Sequence, residues 1–303
     1  MIVALIGASQ FHISLIMMRF SVLFLSALAM TSALASPRKV VVSGAGGQTG
    51  QALFRKMLAL PDEFAPLGLV RTQESKANLV NSGVPASSVA VVDVTDGAAV
   101  KEAALGCAAF CICTSAKPSI TGEMNAETGR PVFGFPDGSP EEVDWLGQKN
   151  QIDACASHVV LCSTMGGTDP NHSLNTLGRS TNPDGSMSGG NIVMWKRKAE
   201  VYLIDSGKPY TIVHPGGLLN EAGGERELEV GVDDEVTESR TVPREDVAEV
   251  MLQAVRHAEQ YKNRSFDLRA KAKDDGVAPT TDFVALLESL NGRDCDYSLG
   301  EIM

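Results

Sequence analysis

The 303-residue sequence predicts an α/β protein built on one doubly wound parallel sheet. Three observations predict it. Short apolar runs alternate with amphipathic stretches from Lys39 almost to the C-terminus. The runs are rich in Val, Ile, Leu and Cys at successive positions, as in strands buried on both faces. The first run enters "SGAGGQTG" and then a helix-periodic stretch, the strand–turn–helix order of a Rossmann-like fold. The expected architecture is a single Rossmann-like domain. Loops leaving the C-terminal edge of its strands form the substrate pocket.

The elements follow in order. "KVVVSG" (39–44) is a strand, and "TGQALFRKMLAL" (49–60) has apolar residues at helical spacing. "APLGLVR" (65–71) is a second strand, and "ESKANLVNSG" (74–83) a short helix stopped by Gly83. "SVAVVDV" (88–94), the helix "GAAVKEAALGC" (97–107) and the strand "AAFCICTSA" (108–116) come next. Residues 119–141 are rich in Gly and Pro and read as a loop. A helix over 141–157 precedes the strand "HVVLCSTMGG" (158–167) and a second long loop, 168–190. The helix "NIVMWKRKAEVYLIDSG" (191–207), the strand "YTIVHPGGL" (210–218) and a third loop, 219–243, follow. A helix (244–259), a strand (265–270) and a last helix (280–290) close the chain.

The glycine turn carries the clearest chemistry. Gly44, Gly47 and Gly50 form G-x-x-G-x-x-G, with Gly46 between them. Gly44 allows the sharp turn, Gly47 lets a pyrophosphate reach the backbone, and Gly50 lets helix and sheet pack closely. Gln48 and Thr49 open a helix whose free N–H groups face the phosphates. An NAD-binding second strand ends in an acid that holds the ribose hydroxyls. This one ends in Arg71, with Lys76 nearby, which points to the 2′-phosphate of NADP more than to NAD. The other reading of Arg71 is a solvated strand end. Asp93 either bonds the adenine amine or caps its own turn, and Ser115, near the end of the fourth strand, completes the cofactor side.

Composition narrows the function. The chain is 44% hydrophobic and 21% charged, as packed globular proteins are. A formal net charge of −11 argues against nucleic-acid binding, which needs basic surface. The N-terminal segment stands apart: "MRFSVLFLSALAMTSALA" has a basic start, an apolar run and a small-x-small ending at Ala35. That is the layout of a removed signal peptide, giving domains 1–35 and 36–303. The run from Phe20 to Ala35 is shorter than the roughly 20 residues of a membrane span, so no stable insertion is expected after removal. Met18 is an alternative start. Six cysteines lack any CxxC pair, and no metal site is expected. A reducing compartment reached through the secretory route, such as a plastid with extra membranes, reconciles the two, with the ER lumen as the alternative. A mature chain starting at once on its first strand leaves no room for a transit peptide, which argues against the plastid.

Five segments, "SGAGGQTG", "VDWLGQKNQIDA", "STMGGTDPNHSLNTLG", "GNIVMWKRKAEVYLIDSGKPYTI" and "PGGLLNEAGGERELEVGVDDE", together resemble one family. It is the atypical short-chain dehydrogenase/reductase-like NAD(P)-binding proteins of plant and algal plastids. The likeness spans nearly all of the chain after Lys39. It implies one Rossmann-like domain that binds NADP(H). Two features depart from it: the loop 179–189 is longer, and His214 stands where related proteins more often have arginine.

In the wider superfamily a helical lysine binds the nicotinamide ribose, and a tyrosine four residues earlier donates the proton. On that spacing Lys198 is the expected lysine and Met194 stands at the tyrosine position. The serine position falls at Thr164, which either polarises a carbonyl or caps a turn. Tyr202 is expected to pack in the core, and His214 to be satisfied structurally rather than to donate a proton. Pro215 and Gly216 are expected against the nicotinamide. Two functions stay open. One is an NADPH-dependent reductase of a quinone-like or conjugated acceptor, which takes its proton from water. The other is a non-catalytic NADP(H) sensor or assembly factor with a protein partner. A sugar-nucleotide epimerase needs the tyrosine and fits less well.

Overall fold

The structure, a computed structural model, describes residues 36–125, 129–182, 184–235, 239–273 and 277–301. Residues 1–35, including the expected signal segment, lie outside the described residues.

The elements are β1 (Arg38–Ser43), α1 (Gln48–Leu58), β2 (Phe64–Val70), α2 (Gln73–Asn81), β3 (Val89–Val91), α3 (Gly97–Ala104) and β4 (Ala109–Ile112). A hairpin follows, β5 (Ser119–Met124) with β6 (Pro131–Gly134). A π-helical turn, Glu141–Gly147, runs directly into α4 (Gln148–Ala154), and β7 (His158–Cys162) comes next. A small hairpin, β8 (Ser180–Thr181) with β9 (Met187–Ser188), precedes α5 (Ile192–Asp205) and β10 (Tyr210–Pro215). The chain ends through β11 (Gly217–Leu219), β12 (Leu228–Gly231), β13 (Thr241–Pro243), α6 (Arg244–Arg256), α7 (Ala258–Tyr261), β14 (Arg264–Ala270) and α8 (Phe283–Glu288).

The main sheet has eight strands in the order β12-β14-β10-β7-β4-β1-β2-β3. All neighbours are parallel except β12, which is antiparallel to β14. Both faces of β1 are buried, as its unbroken apolar run requires. Val40 and Val42 point into a core with Leu53, Phe54 and Met57 of α1 and Met251 of α6. Val41 points the other way, to Val100 of α3, Ile152 of α4 and Leu203 of α5. Helices therefore cover both faces, and the chain order reverses between β1 and β4. Ligands of open α/β sheets bind at that point.

The three long loops of the sequence are not structureless. They hold β5–β6, β8–β9 and the strands β12 and β13, while the expected strand 210–218 divides at Gly216 into β10 and β11. These pieces are short, polar or rich in glycine, so they lack the apolar alternation that marks a strand. Strand 88–94 shortens to Val89–Val91, because Asp93 turns the chain by accepting from Thr95 N at 2.9 Å.

The glycine turn is held by backbone contact. Gly44 has φ +68°, and a Cβ there would lie 2.6 Å from the Cys113 carbonyl oxygen. A Cβ on Gly50 would lie 2.3 Å from the Gly44 oxygen. Neither backbone can move without breaking the β1–β4 ladder or the start of α1. Gly50→Ala should therefore destabilise the protein by at least about 2 kcal/mol, read as a lower urea midpoint. An unchanged midpoint would show that the turn can relax.

Candidate functional site: a groove across the glycine turn

Two cavities meet over the C-terminal ends of β1 and β4. One holds about 480 Å³, the other about 1430 Å³, and they share Gly46, Gly47 and Cys113–Lys117 as walls. The smaller contains Gly44, Arg71, Asp93 and Ser115. The larger contains Gln48, Thr49, Gly50, Ser115, Thr164, Pro215 and Gly216. The sequence thus brings most of its expected site residues to one groove.

α1 starts at the shared wall. Its N-cap, Gly47, offers no side-chain hydrogen bond, and its first turn carries no acid. The first N–H groups of such a helix have no intrahelical acceptor and suit an anion. In the smaller cavity, the Arg71 guanidinium lies 2.7 Å from Asp137 Oδ1 and also donates to the Asp137 carbonyl oxygen. Asp93 lines the wall while capping its turn; Thr95 N–H and hydroxyl hold its carboxyl below the usual range.

Two expected residues fall outside the groove. Lys76 lines neither cavity; Thr72 and Ser75, four and one residues before it, line the smaller one. Thr72 caps α2 by accepting from Ser75 N at 3.1 Å, and this fixes which face of the helix looks inward. Lys198 is also outside. Its ammonium sits 4.9 Å from the Trp145 ring centroid and 5.0 Å from that of Trp195, a cation–π contact. The lysine that α5 sends into the larger cavity is Lys196, and the residue four before it is Ile192, which also lines the cavity.

The phase of α5 decides this. Its buried residues include Ile192, Lys196, Glu200 and Leu203, one stripe at helical spacing. Position 198 lies off that stripe. Two contacts pin the phase. Asn175, 1% exposed, accepts from Val193 N at 2.9 Å and Met194 N at 3.4 Å, capping the helix from a distant loop. The Lys196 ammonium lies 2.7 Å from Asp144 Oδ1, and both side chains are almost wholly buried. The other oxygen of Asp144 accepts from Ala116 N at 2.9 Å, tying the lysine to the shared wall. Neither Asp144 nor Asn175 was among the residues expected from sequence. Their only signal was position, inside two of the five family-like segments.

Tyr202 lines neither cavity; it donates to Asp153 Oδ1 at 2.6 Å and meets Trp145 edge-on at 5.6 Å. Thr164 donates to the Met165 carbonyl at 3.1 Å and lines the larger cavity. The hydroxyl of its neighbour Ser163 donates to buried Glu200. Gly216 serves the sheet as well as the cavity: a Cβ there would lie 2.6 Å from the Arg240 carbonyl oxygen. His214 is buried beneath the groove. Its Nε2 lies 3.1 Å from Glu200 Oε2, and its Nδ1 lies 3.5 Å from Cys295 Sγ and 3.6 Å from Asp267 Oδ1. His214, Cys295 and Asp267 offer potential metal ligand atoms within 4.8 Å of one another. All six cysteines are free thiols.

The residues fit a dinucleotide. A pyrophosphate needs open N–H donors and close backbone, which Gly46, Gly47 and the start of α1 supply. Ribose hydroxyls need a donor held in place, which Lys196 supplies. Comparison with known proteins agrees. The NAD(P)H-binding family model matches residues 44–258. The chain belongs to that family. It is 44% identical over 276 residues to an uncharacterized chloroplastic protein of Arabidopsis thaliana, covering 88% of this chain and 80% of that one. It is 42% identical over 276 residues to the sanguinarine reductase of Eschscholzia californica, covering 83% and 95%. A short-chain dehydrogenase/reductase of Veillonella parvula, solved with NADP, superposes with a TM-score of 0.52 at 15% identity, covering 76% and 94%. That likeness shows the Rossmann-type fold. No helix among the described residues is long and apolar enough to cross a membrane.

Burial disfavours both charges of the Glu200–His214 pair. Even so, Glu200 and Cys295 lift His214 well above its ordinary 6.5, and His214, Ser163 and Arg197 bring Glu200 below its ordinary 4.5. A raised histidine stabilises below its unfolded value and loses that contribution as pH rises through the folded one. A lowered carboxylate stabilises above its unfolded value and loses that contribution as pH falls through the folded one. The pair should therefore stabilise most between about pH 4.5 and 6.5. His214→Gln leaves Glu200 without its main partner and should cost about 3 kcal/mol at pH 6. Thermal melts from pH 6 to 9 should show a fall in the wild type that the variant lacks; parallel curves would contradict the pairing.

Proposed function

We propose that this protein is an NADPH-dependent reductase of a quinone-like or otherwise conjugated acceptor. The observation that carries it is the larger cavity, where Lys196 stands on a dinucleotide groove with Ile192 in place of a proton donor. Lys196, rather than Lys198, is the ribose lysine in this reading.

Bound NADPH would supply a hydride. The chain's own groups do the rest. Gly46, Gly47 and the first N–H groups of α1 hold the pyrophosphate. Arg71, now paired with Asp137, would hold the 2′-phosphate together with the hydroxyls of Thr72 and Ser75. Lys196 would donate to the ribose hydroxyls while Asp144 keeps its ammonium in place. Thr164 polarises the acceptor carbonyl. Among the described residues no tyrosine lines the cavity, and in this reading the proton comes from water. That suits acceptors whose reduced form is a stabilised anion, such as quinones, over simple ketones. The reductase that is 42% identical supports the reading. The chloroplastic designation of the Arabidopsis relative supports a plastid destination, reached through the N-terminal signal.

Ile192 also favours a second reading, a non-catalytic NADP(H) sensor that recruits a partner. Calorimetric titration and an acceptor screen separate these. Arg71→Ala should weaken NADPH binding at least about tenfold, near 1.4 kcal/mol, and leave NADH binding within about twofold. Equal losses would remove the case for NADP. Oxidation of NADPH by a quinone panel is expected of the wild type; tight NADPH binding with no oxidation would favour the sensor.

A further inference from the structure

Two cysteines meet at the N-terminal ends of β4 and β7, the edge of the sheet opposite the groove. Cys107 lies between α3 and β4, and Cys155 between α4 and β7. β4 and β7 are parallel neighbours, with Ala109 opposite His158. The segments that lead into those paired positions are therefore held side by side, and their sulfurs lie 3.9 Å apart. Among the described residues no other two cysteine sulfurs are in hydrogen-bond contact.

Neither cysteine belongs to the sheet ladder. Cys155 directly follows the last residue of α4, and Cys107 stands just beyond the end of α3. A disulfide brings its sulfurs to about 2.05 Å. Closing that gap calls on two side chains in connecting segments, and no strand has to move. Nothing has to enter a closed space, because the two groups that would bond already touch. An oxidant needs to reach one sulfur only. Cys107 is 8% exposed and its neighbours Leu105, Gly106 and Ala108 are exposed, whereas Cys155 is wholly buried.

The surroundings favour reaction at Cys107. Lys39 Nζ donates to the Ala103 carbonyl at 2.9 Å and to the Leu105 carbonyl at 2.8 Å, which sets an ammonium beside this turn. A nearby cation favours the thiolate, the form that attacks a disulfide. Contact with Cys155 brings the Cys107 thiol down to about 7 against the effect of burial, and Lys39 adds to this. Contact with Cys107 and burial push the Cys155 thiol up.

We propose that Cys107 and Cys155 form a redox-modification site, which a small-molecule disulfide of the glutathione class oxidises to a disulfide joining the ends of α3 and α4. The Cys107 sulfur attacks one sulfur of glutathione disulfide. The S–S bond of the oxidant breaks, and one glutathione leaves with the Cys107 proton. The Cys155 sulfur then attacks Cys107 in the mixed disulfide, and the second glutathione leaves with the Cys155 proton. The protein loses two electrons and two protons, and the oxidant gains them. The bond closes a chain span of 48 positions, which restricts the unfolded chain. It also braces α4, which continues from the π-helical turn that carries Asp144.

The test treats the folded full chain with glutathione disulfide, denatures it in acid, labels free thiols with N-ethylmaleimide and reads the intact mass. The reduced protein should take up a label on each of its six cysteines, and the oxidised protein two fewer. Peptide mapping should place the bond between Cys107 and Cys155, and dithiothreitol should restore full labelling. The oxidised protein should melt at least about 3 °C higher than the reduced one. Cys155→Ser should trap one glutathione on Cys107, and Cys107→Ser should form no disulfide. Full labelling after oxidation, a bond between any other two cysteines, or no glutathione on Cys107 in Cys155→Ser would overturn the proposal. A lower melting temperature on oxidation would overturn it too, since the bond would then form only by distorting the fold. Should either variant not fold, labelling and mapping of the wild type still decide.

Discussion

The ion pair between Lys196 and Asp144 is the constraint on which the site depends. An ammonium and a carboxylate 2.7 Å apart, both almost wholly buried, do not tolerate separation. Removing one partner of such a pair costs about 3–5 kcal/mol, because the other is left charged and dry. The pair therefore fixes the rotation of α5 about its axis. Asp144 lies on the π-helical turn, and its second oxygen holds Ala116 on the shared wall. One carboxylate thus ties together three segments far apart in sequence. π-Helical turns occur frequently at functional sites, where they re-aim a side chain. This one aims a carboxylate at the lysine.

A second buried cluster lies beneath the first. Ser163, Glu200, His214, Cys295 and Asp267 connect the end of β7 to β10, β14 and the C-terminal segment. Arg197 extends it to Tyr297, 3.9 Å from its guanidinium to the ring centroid. Ile192, Lys196 and Glu200 are four residues apart along α5, so one helical stripe serves the groove at one end and this cluster at the other. The residues beneath the groove are thereby held by charges and hydrogen bonds as well as by apolar packing.

Much of this was legible in the sequence. The parallel sheet followed from apolar runs at β1, β2, β4, β7 and β10, and the glycine turn followed from Gly44 and Gly50, where backbone leaves no room for a Cβ. Arg71, Asp93, Ser115, Thr164, Pro215 and Gly216 all reach the groove. The lysine was displaced by two positions because "KRK" offers two ammonium groups on different helix faces, and spacing from an absent tyrosine cannot choose between them. The apolar stripe could have chosen: Lys196 falls within it beside Ile192 and Ala199. Lys76 failed for the same reason, a helix phase set by the Thr72 cap. The small hairpins and edge strands were illegible because their stability comes from pairing, not from a periodic pattern.

The most direct test of the account compares Lys196→Met with Lys198→Met in NADPH binding by calorimetry, with thermal melts beside them. Met keeps the aliphatic bulk of either lysine and removes only the charge. Lys196→Met should weaken NADPH binding at least about tenfold and also lower the melting temperature, because Asp144 loses its partner. Lys198→Met should leave both nearly unchanged, since a cation–π contact at a partly exposed site is worth about 0.5–1 kcal/mol. The reverse result, binding lost in Lys198→Met and kept in Lys196→Met, would contradict the placement of α5 and with it the proposed arrangement of the site.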